Sequence, residues 1–131
     1  MEHEAIPNEL ERIGKKIVDS AYRVHKEPGP GLLESVYEEC MIYDLRRKGL
    51  QVDEQVYVPI VFDGQILKRN KLRIDLLAEG EVIVENKAVM DMNPLFESQI
   101  LTYLKLSKKR LGFLVNFNVT LIRNGIKRFI V

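Results

Sequence analysis

Residues 71–89 read KLRIDLLAEGEVIVENKAV. Two runs rich in β-branched and aliphatic residues, KLRIDLL and EVIVENKAV, flank a turn-forming AEGE, so two strands and a tight connection are expected. Side chains of the second run alternate between faces. Ile83, Glu85, Lys87 and Val89 share one face, and Val82, Val84, Asn86 and Ala88 the other. Both faces are largely apolar, the pattern of a central strand covered on two sides. Burying a lone carboxylate or ammonium there costs several kcal/mol even after relaxation. Glu85 and Lys87 therefore need partners, water or a metal ion.

The neighbouring run offers Asp75, on a face expected to include Arg73 and Leu77. Register decides whether Asp75 meets Glu85. A two-residue connection at Glu79-Gly80 would set Asp75 opposite Val84, with Glu85 on the far side. A three-residue connection, Glu79 to Glu81, or a bulge restoring the same parity, sets Asp75 directly across from Glu85. Facing carboxylates would be about 5 Å apart at their Cβ atoms and would repel unless a cation lay between them. Hard oxygen ligands favour Mg2+ or Mn2+. Such an ion lowers the pKa of bound water and stabilises charge on a phosphoryl oxygen. Lys87, one side-chain period along, could orient or help deprotonate the attacking water and offset transition-state charge.

Outward from this stretch, Leu10, Ile13, Ile17, Ala21 and Val24 recur at helical spacing. They predict a helix from about Asn8 to Lys26, with Asn8 as N-cap and a stop at Pro28, Gly29 and Pro30. A second helix is expected from about Gly31 to Lys48, with Leu33, Val36, Tyr37, Cys40, Met41 and Leu45 as its stripe and Gly49 just past its end. QVDEQVYVPIVF reads as a strand whose Pro59 belongs at an edge or bulge, and Asp63-Gly64 as a hairpin turn. MNPLFESQILTYLKLSKK predicts a third helix, capped by Asn93 with Pro94 at its first position and striped by Leu95, Ile100, Leu101, Leu104 and Leu106. RLGFLVNF and VTLIRNGIKRFIV supply two or three last strands, the final pair turning at Asn124-Gly125. The order ααβββαββ implies an α/β (α+β) domain, a mixed sheet with helices packed on it.

One domain over residues 1–131 fits the length, and 46% hydrophobic residues suffice for a single core. A net charge of +1 leaves the class of partner to the distribution of charge. The lone Cys40 excludes an intrachain disulfide and, with only His3 and His25 beside it, Cys-based zinc sites. That usage suits a reducing compartment. MEHEAIPNELERI has no apolar signal core, and no run of about 18 apolar residues occurs, so a cytoplasmic protein without membrane association is expected.

Asp75, then Glu85-Asn86-Lys87 ten residues on, resembles the D…(D/E)xK signature of the PD-(D/E)XK nuclease superfamily. GLLESVY, residues 31–37, resembles the motif of the GxxExxY protein family, with Gly31, Glu34 and Tyr37 at the named positions. The resemblance runs from about Ile13 to Arg128 and includes VHKEPGPGLLESVYEE, RIDLL, VIVENKAV and QILTYLKL. It implies a restriction-endonuclease-like core and a divalent-metal-dependent nuclease acting on DNA or RNA. It implies Asp75, Glu85 and Lys87 as catalytic residues, and Asp75, Glu85 and Glu34 as metal ligands. Gln99 and Tyr103 resemble the Q-x-x-x-Y element of exonuclease-like branches and, with Arg73, would line the site. Asn86 departs from the usual apolar residue, and Phe96 stands where such sequences have His.

Each signal has a plainer reading. Asp75, Glu85 and Lys87 could be an ion-pair cluster at a strand end, and Glu34 an acid favoured by its helix dipole. Gln99 and Tyr103 could cap the core. His25 is expected to end the first helix, and Tyr37 to pack in the core with its hydroxyl satisfied. Basic residues cluster at Lys68, Arg69, Lys71 and Arg73, and again at Lys105, Lys108, Lys109 and Arg110. Flanking one cleft, both clusters would suit a phosphate backbone. The alternative function is a non-catalytic module that binds nucleic acid or protein on the same fold. A homodimer, or attachment to a partner, would supply the recognition surface that so short a chain lacks.

Overall fold

The computed structural model describes residues 5–131; His3 lies outside them. Helices α1 (Asn8–Lys26) and α2 (Glu34–Arg47) precede strands β1 (Val52–Phe62), β2 (Gln65–Ala78) and β3 (Val82–Lys87). Helix α3 (Pro94–Ser107), β4 (Leu111–Asn116), a short 3-10 turn (Ile122–Asn124) and β5 (Ile126–Ile130) complete the chain. The sheet runs in chain order, β1-β2-β3-β4-β5. Only β3 and β4 are parallel, joined by the crossover helix α3. Val119 to Leu121, expected as strand, are bends before the 3-10 turn, so two strands end the chain rather than three.

Two apolar layers flank the sheet. Leu10, Ile13, Ile17 and Ala21 of α1 and Tyr37, Met41 and Leu45 of α2 pack on Leu76, Val82, Val84, Leu111 and Phe113. On the other face Ile100 and Leu104 of α3 pack on Leu77, Ile83 and Leu114. β3 is thus covered on both sides, as its apolar alternation requires. The other expected stripes are too wide: Leu33 is 74% and Leu95 70% exposed, each at or beside the first turn of its helix. No helix among the described residues is long and apolar enough to cross a membrane.

Helix ends follow local chemistry. Asn93 caps α3 by accepting the Leu95 amide at 2.9 Å, with Pro94 inside the first turn. Asn8 does not cap α1; Pro7 holds that position without a side-chain bond, and Glu9 and Glu11 meet the positive end of the helix instead. α2 starts at Glu34, three residues later than expected. Gly29 and Gly31 have φ of +75° and +101°, and the loop they turn is tied to the Tyr37 hydroxyl, which accepts from Leu32 N and donates to Gly29 O. The Tyr37 ring stacks on Phe117 at 4.6 Å. His25 closes α1 and bonds Val119 O through Nε2 at 2.7 Å, a structural role. Buried Asp44 joins the first two helices. It accepts from Ser20, Lys48 and Arg47, contacts that hold its carboxyl below the usual range although burial alone would raise it.

Among the described residues, one buried polar residue is left with its whole side-chain amide unpaired. Asn86 of β3 is 0% exposed, and neither atom of its side-chain amide has a protein partner. A buried amide without partners is destabilising. Asn86→Val should therefore raise stability by about 1–3 kcal/mol in urea denaturation; an unchanged or lower midpoint would mean that the amide is satisfied in solution.

Candidate functional site

The connection between β2 and β3 decides the site. Glu79 and Gly80 both adopt positive φ, +53° and +66°, and the Glu81 amide closes the turn onto Ala78 O. Glu81 adds one residue before pairing begins at Ala78 with Val82. Leu77 then faces Ile83 and Leu76 faces Val84. This is the three-residue register, and continued by one step it sets Asp75 across from Glu85.

Pairing stops there. β3 stays on β4 through Lys87 and Asn116, whereas β2 leaves β3 after Leu76 and continues only against β1. The strands part at the two carboxylates. Asp75 Oδ2 accepts the Asn86 amide at 3.1 Å, and Glu85 Oε2 accepts the Asp75 amide at 3.4 Å. Each side chain thus takes an amide that the broken ladder would leave bare.

Facing also changes at this level. Val52, Leu76 and Ala78 pack with α1 and α2, while Val56, Val58 and Ile74, of the same parity, pack with α3. Strict alternation would keep each strand's set together. Gln55, the β1 residue level with Asp75, has φ +52°, and the break lies at this pair. Asp75 therefore does not share one regular face with both Arg73 and Leu77, as alternation led us to expect. Leu77 joins the α3 layer, and Arg73 follows the exposed face of the outer hairpin.

Glu85 is 4% exposed, and its Oε1 has no protein partner. Burial first, then its hydrogen bond to and repulsion by Asp75, push its carboxyl up to about 9, against the smaller pull of Lys87. Without a cation Glu85 keeps its proton at neutral pH.

Other groups converge from three elements. Glu34, first residue of α2, lies within the fields of Lys87, Asp75 and Arg73; burial chiefly raises its carboxyl, with Asp75 adding to that and Lys87, Arg73 and the Ala88 amide opposing it. From α3, Gln99 Nε2 donates to Tyr103 Oη at 3.0 Å. Burial, then Glu85 and Asp75, raise the Tyr103 hydroxyl. Lys87 Nζ lies 4.5 Å from the centre of the Phe96 ring, a cation–π contact. Phe96 thus supports Lys87 where a polar group had been expected. Beside them is a cleft of about 480 Å³ lined by Lys87, Phe96, Gln99 and Tyr103.

Two participants were missed in the sequence. Glu38, one turn after Glu34, accepts from Gln55 Nε2 at 2.7 Å. Burial and then Asp75 raise its carboxyl, while the Gln55 bond lowers it. Its spacing from Glu34 on one helix face was the available signal. Gln55 gave none, because its left-handed backbone is invisible in the sequence. A larger hollow of about 800 Å³, between α2 and β1, reaches the site at Glu38 and Gln55.

The second basic cluster lies elsewhere. Lys105 to Arg110 end α3 beside Leu111, which pairs with Val82, whereas Glu85 and Lys87 lie at the other end of β3. The two basic clusters do not flank one cleft.

The donor set suits a hard divalent cation: carboxylate oxygens, one of them buried and free. Asp75 and Glu85 are the residues that would hold it. No three His, Cys, Asp or Glu side chains among the described residues form a cluster that could hold a metal ion. Glu34 stands in the field of the pair without completing such a set.

The family model of the PD-(D/E)XK nuclease superfamily matches residues 11–129. No curated protein and no solved structure matches the chain.

Two outcomes test this geometry. Glu85 ionises near 4.5 in the unfolded chain and near 9 in the fold. Its contribution to stability is therefore fully present below pH 4.5 and lost as pH rises through about 9. In EDTA the melting temperature should fall across that window, and Glu85→Gln should flatten the fall and gain roughly 5 °C at its alkaline end; parallel curves would refute the raised Glu85 carboxyl. In NMR of reductively methylated lysines, the ring current should shift the Lys87 signal upfield. Phe96→Leu should abolish that shift and Phe96→Tyr preserve it.

Proposed function

This chain belongs to the PD-(D/E)XK nuclease superfamily, and we propose that it is a divalent-metal-dependent nuclease that hydrolyses phosphodiester bonds in DNA or RNA. The observation that carries this reading is the carboxylate pair at the strand fork, Asp75 facing Glu85, with Lys87 one side-chain period further along β3.

Asp75 and Glu85 would hold Mg2+ or Mn2+, and Glu34 would add negative charge from the start of α2. The bound ion supplies Lewis acidity toward a phosphoryl oxygen and a more acidic water. The chain's own residues do the rest. Lys87, resting on Phe96 rather than in an ion pair, keeps its N–H donors available to orient the attacking water and to offset charge on the phosphoryl oxygens. Gln99 and Tyr103 form the α3 wall of the cleft, where the Tyr103 hydroxyl stays protonated and can donate to a substrate oxygen. Arg73 brings a cation to the outer edge.

The test pairs binding with cleavage. Calorimetric titration should give Mg2+ or Mn2+ binding by the wild type, weakened at least tenfold in Asp75→Ala. Cleavage of single- or double-stranded substrates should fall on the order of 100-fold or more in that variant. Lys87→Ala should lower kcat on the order of 100-fold with little change in KM. No metal binding at millimolar concentration would sink the nuclease reading and leave a binding module on the nuclease fold.

A further inference from the structure

Beyond Asp75 the chain builds an arm that the carboxylate pair does not require. From Val56 to Ile74, β1 and β2 form a hairpin with no third strand, because β3 pairs only with Leu76, Leu77 and Ala78 of β2. The arm has two unlike faces. Val56, Val58 and Ile74 pack with the α3 layer. The opposite face carries Tyr57 directly across from Arg73 and Pro59 across from Lys71, all four exposed. Tyr57 is 61% exposed, and Phe62 at the tip 70%.

Charge sets the arm apart from the rest of the chain. The arm carries Lys68, Arg69, Lys71 and Arg73 against Asp63 alone, a net +3. The whole chain is +1, so the remainder is −2. Among the described residues none of these four cations forms an ion pair with an acidic residue, whereas Lys48, Lys127 and Arg128 all do. A basic face with open aromatic rings, rooted at two acids, complements a phosphate backbone whose bases are free to stack. A duplex hides those base faces.

We propose that the exposed face of the arm binds single-stranded nucleic acid, Tyr57 stacking on a base while Arg73 and Lys71 take the flanking phosphates, and so leads the strand to Asp75 and Glu85. The inference rests on the nuclease reading and adds the substrate class and the surface that selects it. Arg73 lies two residues, about 7 Å of strand, before Asp75, and both act on the Glu34 carboxylate, so a phosphate held by its guanidinium is at the edge of the site.

The experiment is fluorescence anisotropy in EDTA, where nothing is cut. The probes are a labelled single-stranded oligonucleotide, as DNA and as RNA, and the blunt duplex of the same sequence. A single strand of either kind should bind at least tenfold tighter than the duplex. Tyr57→Ala should weaken it about 5- to 150-fold, and Tyr57→Phe should restore it. Lys71→Gln and Arg73→Gln should each reduce the slope of log affinity against log salt by about 0.7. Duplex binding as tight as single-strand binding, or a Tyr57→Ala variant that binds like the wild type, overturns the proposal. So does an arm that pairs two copies, seen as a dimer in sedimentation that Phe62→Ser disperses while oligonucleotide binding is unchanged. Arm-dependent binding without cleavage in Mg2+ or Mn2+ would sink the nuclease reading alone. Asp75-dependent cleavage indifferent to the arm would sink this one alone.

Discussion

A sheet that comes apart must find new partners for the amides it strands. Here β2 leaves β3 in the middle of the fold, and the residues at the parting are Asp75 and Glu85. Their carboxylates accept the Asn86 and Asp75 amides. That requirement fixes both side chains near the strand plane and near each other, and it holds Glu85 away from water. Proximity and dryness then set the electrostatics: a charge on Glu85 beside Asp75 is costly, so Glu85 keeps its proton unless a cation is bound.

Each surrounding element adds one group to that fork. The Tyr37 hydroxyl closes the glycine loop and fixes where α2 begins, which places Glu34 at the helix start and Glu38 one turn later. The crossover helix α3 supplies Phe96 under Lys87, and Gln99 with Tyr103 beside them. Asn116, at the end of β4, bonds both main-chain groups of Val89 and so steadies the chain just beyond Lys87. The apolar layers give these elements their positions; the polar groups give the site its chemistry.

Much of this was legible in the sequence. Three helices and the order of elements along the chain followed from apolar periodicity and from Pro and Gly stops, and the Glu79-Gly80-Glu81 turn limited the register to two choices with opposite outcomes. The rest depended on tertiary contacts. The reversal of facing at Gln55 and Asp75 comes from a backbone angle that no residue type announces. Leu33 and Leu95 looked like core because helical period alone does not say where a neighbouring layer ends. Phe96 was read as a lost polar group, yet its ring is a support for Lys87. Asn86 was recognised as out of place, and among the described residues its side-chain amide has no protein partner.

The two acids are mounted differently. Glu85 belongs to a strand clamped along its length by β4 and covered by helices on both faces. Asp75 is the root of a hairpin whose outer half has no further strand beside it. One jaw is therefore bolted to the frame and the other is cut into the base of a lever. The two amide bonds at the fork are the rivets between lever and frame, so whatever settles on the outer hairpin bears on the joint that holds the two oxygens together.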